Sequence, residues 1–263
     1  MKQLFAVTMA IALVIGTGAF SSLNSKRFKV KTVVIDAGHG GHDPGNLGTG
    51  RYKTREKDIA LKIALELGRI IQENMPDVKV IYTRKDDRFI ELSDRPAIAN
   101  KNDADLFISV HCNSGPKAAY GTESFVMGNS NVPGNLEVAK RENSVILQES
   151  DYLEKYDGFD PNSPLAHIFF ANMQSAYLEN SLLFADHVET QFKDRVGRHS
   201  RGVKQASLWV LWKSAMPAVL VEVGFLTNPT EEKYLNDNLG QVYIASGIYR
   251  AFRDYKKDIE SIE

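Results

Sequence analysis

Strand-like and helix-like segments alternate through the first half of the chain, and this alternation limits the fold more than any other feature. The β-branched run KVKTVVIDA precedes IALKIALELGRIIQ, whose apolar residues have helical spacing. Two further strand-like runs flank a second helical segment. This βαβαβ order is typical of α/β domains with parallel strands. It predicts strands over 30–36, 78–83 and 106–111, and helices over 56–74 and 92–102.

The second half continues this plan with more widely spaced elements. Asn228 and Pro229 are typical of a helix N-terminus, because asparagine caps the first turn and proline suits the first helical position. The 263 residues can supply one full core. We expect a single α/β domain over 28–258, with a mostly parallel twisted sheet flanked by helices. Its remaining predicted elements are strands near 122–127, 207–211 and 218–223, and helices over 135–150, 165–194, 230–238 and 240–257.

Two histidines and two glutamates occupy four separate segments near predicted strand and helix ends. His39 follows the first strand in AGHGGHDPG, and His111 ends the third in ADLFISVHCNS. Glu56 falls in the first turn of a helix, where a carboxylate that only complements the helix dipole is the alternative interpretation. Glu222 lies in MPAVLVEVGFL, so apolar that an unpaired carboxylate would be costly. Because α/β sheets place their sites at the carboxyl ends of strands, we expect these side chains to converge.

This combination of side chains is that of a catalytic zinc site. Imidazole and carboxylate ligands suit zinc, and a catalytic zinc typically has three protein ligands and one water. His39, Glu56 and His111 would supply the three ligands. The metal lowers the pKa of its water to about 7, and a nearby carboxylate such as Glu222 accepts the proton during attack on a carbonyl. The four residues therefore predict a metal hydrolase.

Six segments resemble the zinc-dependent N-acetylmuramoyl-L-alanine amidases, which cleave peptidoglycan between the muramic acid lactyl group and the first L-alanine of the stem peptide. They occur in the family's order: VVIDAGHGGHDPG, REKDIAL, TRKDDRFIELSDRPAIAN, ADLFISVHCN, RGVKQA and VLVEVGFLTNP. The resemblance implies zinc ligands at His39, Glu56 and His111 and a catalytic glutamate at Glu222, the same four residues reached from their chemistry. It also implies a role in cell-wall remodelling and daughter-cell separation.

Several other polar residues near these motifs have structural explanations. Arg84, Arg95 and Asn100 match recurrent positions of the family, but a helix-surface arginine and a capping asparagine explain them equally well, so we do not expect them to be catalytic. A thiolate at Cys112 could compete for zinc. Strand alternation turns it to the face opposite His111, and we expect a small buried residue.

Residues 128–182 form an insert that the catalytic core does not obviously require. In family members with an insert here, a helix lies over the zinc and blocks substrate until a protein activator displaces it, and AKREN at 139–143 is similar. We therefore hypothesise an autoinhibitory helix within 128–165, in which Glu142 or Glu149 offers a carboxylate to the open position of the metal. The alternative is that these charges form a solvated helix face.

Residues 1–22 have the pattern of a signal peptide, with Met-Lys, the apolar stretch LFAVTMAIALVIGTGAF and two serines. An uncleaved anchor is the alternative, although the stretch is short against the ~20 residues of a membrane span. The net charge of -1 argues against nucleic acid or an anionic membrane surface as a partner. The single cysteine cannot form an internal disulfide. We expect an exported, periplasmic monomer that acts on peptidoglycan.

Two other functions use parts of the same pattern. A zinc peptidase that cleaves stem peptides would need the same four residues, although the sequence contains no HExxH motif. A catalytically silent wall-binding regulator would keep the fold but lose a ligand or the base, and all four residues are present. Product analysis separates these alternatives.

Overall fold

A mixed sheet of six strands organises the part of the chain that the structure, a computed structural model, describes: residues 29–129, 132–171 and 176–261. The strand order is β2-β1-β3-β6-β4-β5. Every neighbouring pair is parallel except β4 and β6. The strands are β1 (Thr32–Ala37), β2 (Lys79–Tyr82), β3 (Leu106–Asn113), β4 (Thr122–Met127), β5 (Ser200–Ala206) and β6 (Ala218–Phe225).

Helices cover both faces of this sheet, because both faces of its central strands are apolar. The helices are α1 (Glu56–Asn74), α2 (Asp94–Lys101), α3 (Pro133–Asn143), α4 (Tyr152–Lys155), α5 (Pro164–Ala171), α6 (Leu178–Gln191), α7 (Pro229–Asn236) and α8 (Asn238–Ser261). A 3-10 turn (Ser144–Gln148) follows α3, and a π-helical turn (Phe192–Val196) follows α6. The predicted single-domain α/β fold with a mostly parallel sheet is confirmed.

Alternate residues of the strands supply two separate cores. Val110 and Cys112 of β3 pack in the core under α1, α6 and α8, whereas Phe107 packs in the core on the other face. Cys112 is fully buried, as we expected. His111 therefore points to the same face as Phe107. This second face is the one that α3 covers, so the candidate site lies beneath the predicted insert.

The strand predicted near 207–211 is wrong. The edge strand β5 ends at Ala206, and its half-buried residues RGVKQ lack the continuous apolar pattern that the prediction used. Leu208 to Leu211 are buried in turns instead. Trp209 of this segment packs against Tyr156 and Phe170, with ring centroids 4.9 and 4.6 Å away. The apolar residues thus serve an aromatic cluster rather than a ladder.

The insert region is more divided than its sequence pattern indicated. The predicted helix over 135–150 ends as α3 at Asn143 and continues only as a 3-10 turn. The long helix predicted over 165–194 is two helices, α5 and α6, and residues 172–175 between them lie outside the described chain. The predicted signal peptide over 1–22 also lies outside it. Among the described helices, none is long and apolar enough to cross a membrane.

Candidate metal centre and active site

The loop after β1 places His39 at the carboxyl edge of the sheet. His39 has a φ of +60°, which turns the chain sharply back toward β3. Gly38 lies directly against the imidazole of His111, because a Cβ at this position would be 2.5 Å from its Nε2 atom. The glycine therefore lets the two histidine rings approach, and their centroids are 4.8 Å apart.

Two buried arginines fix the backbone of this loop. Arg84 donates to the carbonyl of Gly38 at 2.7 Å, and Arg95 donates to the carbonyl of His39 at 2.8 Å. Arg95 also forms a buried ion pair with Asp36 at 2.9 Å. The helix-surface arginine that the sequence offered as their structural explanation is wrong, because both side chains are only 2% exposed. Their contacts identify them as residues that position the loop.

Four side chains converge on one point beside this loop. Nε2 of His39 lies 3.0 Å from Oε1 of Glu56, and Nδ1 of His111 lies 3.3 Å from the same oxygen. Oε2 of Glu142 lies 2.9 Å from Nδ1 of His111 and 3.6 Å from Nε2 of His39. One donor atom from each of the four residues lies within 4.8 Å of the others. This set could hold a metal ion.

The unpaired atoms of this group are what a divalent cation would satisfy. Nε2 of His39, Nδ1 of His111 and Oε2 of Glu142 are buried and have no hydrogen-bond partner within the described chain. Buried polar atoms without partners are rare and costly. Burial alone would lower the pKa of His111, but Glu142 and Glu56 raise it to about 9. The two carboxylates thus already favour positive charge at this point, and the residues fit zinc.

Hydrogen bonds behind the group orient its ligand atoms. Nδ1 of His39 is 2.7 Å from a carboxylate oxygen of Asp43, which leaves Nε2 directed inward. Glu56 accepts from the backbone N–H groups of Cys112 and Asn46, both at 2.8 Å. The pairing of His39 with Asp43 was missed from the sequence, although the HGGHD motif contains both residues.

Of the two glutamates suggested for the open metal position, the structure brings only Glu142 to the group. Glu149 lies elsewhere, where Leu92 N–H and the Tyr156 hydroxyl donate to its carboxylate at 2.8 and 2.6 Å. Its carboxylate therefore ties the 3-10 turn after α3 to the start of α2. Glu149 is corrected from a candidate ligand to an anchor of the insert.

Glu222 lies beside the group in the adjacent strand. Its Cα is the register partner of His111, and its carboxyl group is fully buried. Burial raises the pKa of Glu222 to about 8, with further contributions from Glu142 and Glu56 and an opposing one from Arg141. Oε2 of Glu222 has no hydrogen-bond partner within the described chain. A carboxyl group with a pKa near neutrality can accept and release a proton at physiological pH.

Arg141 was not predicted from the sequence as a site residue. It donates to Oε1 of Glu222 at 2.9 Å and to Oε1 of Glu142 at 2.8 Å. Consecutive residues of α3 thus contact the metal-ligand group and Glu222 at once. Asn100, which matches a recurrent family position, lies apart from the group and bonds to Lys213 and Ala215. The other histidines of the described chain also lie apart: His42 contacts the ring of Phe89, and His167, His187 and His199 contact Ser207, Asp258 and Tyr120.

The fold and the site define an α/β protein with a buried His/Glu/His/Glu group that could bind a metal at a sheet edge. Residues 33–254 match the N-acetylmuramoyl-L-alanine amidase family. The amidase AmiA of Escherichia coli K12 is 34% identical over 229 residues, which cover 86% of this chain and 76% of that protein. The chain therefore belongs to this family, and it is a peptidoglycan amidase.

Solved structures agree with this assignment. An N-acetylmuramoyl-L-alanine amidase from Clostridium difficile 630 superimposes with a TM-score of 0.64 at 27% identity, covering 87% of this chain and 97% of that one. The CwlD amidase from Clostridioides difficile, solved in complex with the GerS lipoprotein, gives 0.64 at 26% identity and covers 87% and 99%. The sheet and its flanking helices are thus those of amidases.

Proposed function

We propose that the enzyme is zinc-dependent and hydrolyses the amide bond between N-acetylmuramic acid and L-alanine, with zinc held by His39, Glu56 and His111. The observation that carries this proposal is the set of buried, unpartnered donor atoms that face one another. A bound zinc ion supplies a water of low pKa and polarises the scissile carbonyl.

Glu222 acts as the general base. Its free Oε2 accepts a proton as the water oxygen attacks the carbonyl carbon, and the carboxylic acid then gives that proton to the amide nitrogen. The bond between the lactyl carbonyl carbon and that nitrogen breaks, and the second proton of the water passes from the new carboxyl group to the amine. The products are a muramic acid carboxylate and a peptide with an N-terminal L-alanine ammonium group. Burial of Glu222 supports the transfer of the proton to the amide nitrogen. It favours the neutral acid, so the carboxyl group retains the proton near neutral pH until the nitrogen accepts it.

We further propose that α3 is an autoinhibitory lid. Two contacts of α3 support this proposal: the carboxylate of Glu142 faces the proposed ligand atoms, and Arg141 donates to Oε1 of Glu222. A substrate carbonyl and α3 then compete for one place. Activation requires that a protein partner displaces α3. The neighbouring structure of an amidase with a lipoprotein supports a partner of this kind.

The enzyme is exported through its N-terminal signal and acts in the periplasm as a monomer, where it remodels the cell wall and takes part in daughter-cell separation. The pattern of residues 1–22 and the cell-wall substrate support this setting. Secretion of a fusion of residues 1–40 to a reporter that is active only after export tests the signal.

Mass spectrometry of the soluble products from peptidoglycan tests the reaction. The full chain, Glu142→Gln and Glu142→Gln/Glu222→Gln are incubated with zinc. Peptides with a free N-terminal L-alanine, more abundant with Glu142→Gln and absent from the double variant, are the expected result. Cuts within the stem peptide would indicate a peptidase instead. If the full chain and Glu142→Gln both leave the peptidoglycan intact, although elemental analysis shows that they hold zinc, the protein is a silent regulator.

A further inference from the structure

A buried carboxylate next to the active site is paired with two cations. Glu123 of β4 accepts from Arg201 at 2.8 Å and from Lys204, both on β5. The side chain of Glu123 is almost fully buried. Burial alone would raise the pKa of Glu123, but the hydrogen bonds from Lys204 and Arg201 lower it. Glu123 is therefore ionised, and the cluster of Glu123, Arg201 and Lys204 carries one positive charge in excess.

The cations keep donors available to a ligand. The Arg201 side chain is 36% exposed, and its Nε atom makes the bond to Glu123. Its two terminal nitrogens make no hydrogen bond within the described chain, and the guanidinium carbon lies 5.0 Å from the centroid of the Phe225 ring. Arginine presents such paired nitrogens to a carboxylate in bidentate geometry. The bond to Glu123 and the contact with the ring together orient the guanidinium.

Strand register aligns this cluster with the chemistry. His111 pairs with Glu222, and Glu222 pairs with Glu123 across the antiparallel β4–β6 step. On the next strand, Arg201 lies beside the Thr122–Ser200 pair and bonds to Glu123. From β6 to β5 there are two steps of about 4.8 Å each, the span of roughly three extended residues. Because the Arg201 side chain reaches back to Glu123 on β4, a chain of two residues extending from a bond beside Glu222 would reach its guanidinium.

The lid covers the same route. Asn135 of α3 donates to the backbone of Gln205 in β5, and Arg141 at the other end of α3 reaches Glu222. Arg141 also donates to Asn113, which donates to Glu123. The helix therefore runs from β5 to the ligand group. A substrate that replaces α3 takes over the space between them.

We propose that Arg201 and Lys204 form a carboxylate-binding subsite for the stem peptide, and that they select the free carboxylate of the residue that follows L-alanine. This inference rests on the proposed amidase reaction and adds its specificity. The stem peptide is an acidic peptide, and its second residue carries a carboxylate that can also be present as the amide. The subsite binds the anion because a carboxylate compensates the excess positive charge of the cluster. It discriminates against the neutral amide because the amide leaves that charge uncompensated.

Two matched substrates test the proposal: muramyl-L-alanyl-D-isoglutamyl peptides and their isoglutaminyl counterparts. All variants are made in the Glu142→Gln full chain, loaded with zinc, so that the proposed lid does not limit the rate. We expect kcat/KM to be about tenfold higher for the free carboxylate, the size of one charge-assisted hydrogen bond at a half-exposed position. Arg201→Gln brings the ratio of the two kcat/KM values to one, because it raises KM for the acidic substrate. Lys204→Gln reduces the ratio.

Arg195→Gln is the matched control, because Arg195 lies in a cleft with Tyr243 and Arg250 of α8, in the helical layer on the opposite face. It leaves the ratio unchanged. If Arg201 only neutralised Glu123, Arg201→Gln would lower the rate on both substrates alike and keep their ratio, which overturns the subsite. Equal rates of the parent enzyme on both substrates also overturn it, whereas the amidase reaction stands. Absence of free L-alanine termini from either substrate would refute the reaction itself.

Discussion

The exchange Glu142→Gln is the sharpest perturbation of the proposed lid. It keeps the size of the side chain and removes the negative charge that faces His111 at 2.9 Å and Arg141 at 2.8 Å. Glutamine is also a poorer ligand for zinc than a carboxylate. The closed arrangement of α3 therefore loses the charged contact between Glu142 and His111. The contact with Arg141 lies within α3 itself, and the proposed ligands His39, Glu56 and His111 are untouched.

The size of the effect follows from these contacts. A buried hydrogen bond to a charged group contributes about 1.5–3 kcal/mol, and each 1.4 kcal/mol corresponds to a tenfold change in an equilibrium constant. Loss of one such contact raises the open-to-closed ratio of the lid by roughly 10- to 100-fold. The hydrolysis rate increases by the same factor until most molecules are open.

Release of soluble fragments from dye-labelled peptidoglycan by the zinc-loaded full chain measures this rate. Glu137→Gln is the control, because Glu137 lies on the same helix, is 72% exposed and pairs only with Lys140 among the described residues. We expect it to stay within about twofold of the parent, as exposed pairs contribute little. A Glu142→Gln rate at or below that of the parent, with unchanged zinc content and melting temperature, refutes the lid.

Three further predictions concern the site and its support. Glu222→Gln lowers kcat by about 10²–10⁴ with circular dichroism unchanged, because it removes the base; activity above a tenth of the parent would exclude this role. Zinc at a free concentration of 100 times its Kd stabilises the fold by about 2.7 kcal/mol, and a chelator that removes the zinc abolishes this stabilisation. Equal melting temperatures with and without chelator would contradict the assigned ligands. Asp36→Asn leaves Arg95 buried without its ionic partner and costs about 3–5 kcal/mol in urea unfolding. Burial would raise the pKa of Asp36, but Arg95, Ser109 and Thr83 lower it, so its stabilisation is present above the unfolded pKa and is lost as pH falls; the variant should flatten this acid dependence, and a parallel pH curve would refute it.

The sequence predicted the half of the fold in which local pattern and long-range pairing agree. The helix predicted over 56–74 has the observed bounds of α1, because its apolar spacing and its acidic first turn coincide. His39, His111 and Glu222 were found because each interrupts or ends an apolar or glycine-rich segment, whereas Glu56 was found at the start of a predicted helix. A glutamate inside β6 is conspicuous without any knowledge of its neighbours.

The remaining features depend on contacts that local pattern does not contain. Arg141 is one charge among several on α3, and its partner Glu222 is 81 positions away. Arg84 and Arg95 bond to backbone carbonyls, which carry no sequence signature. The spacing of apolar residues along a strand does not show in which direction the strand runs, so the antiparallel pairing of β4 and β6 was not predicted.

That single reversal of strand direction separates two kinds of adaptation. It brings the beginnings of β4 and β5 to the edge where β3 and β6 end, so the proposed ligand His111 and base Glu222 come from strands opposite in sense to those that carry the cations near Glu123. Changes to β5, an edge strand with one neighbour, do not disturb the ladder that carries His111 and Glu222. Exchanges on β5 are therefore the place to alter the proposed carboxylate preference of this enzyme without a change at its hydrolytic centre.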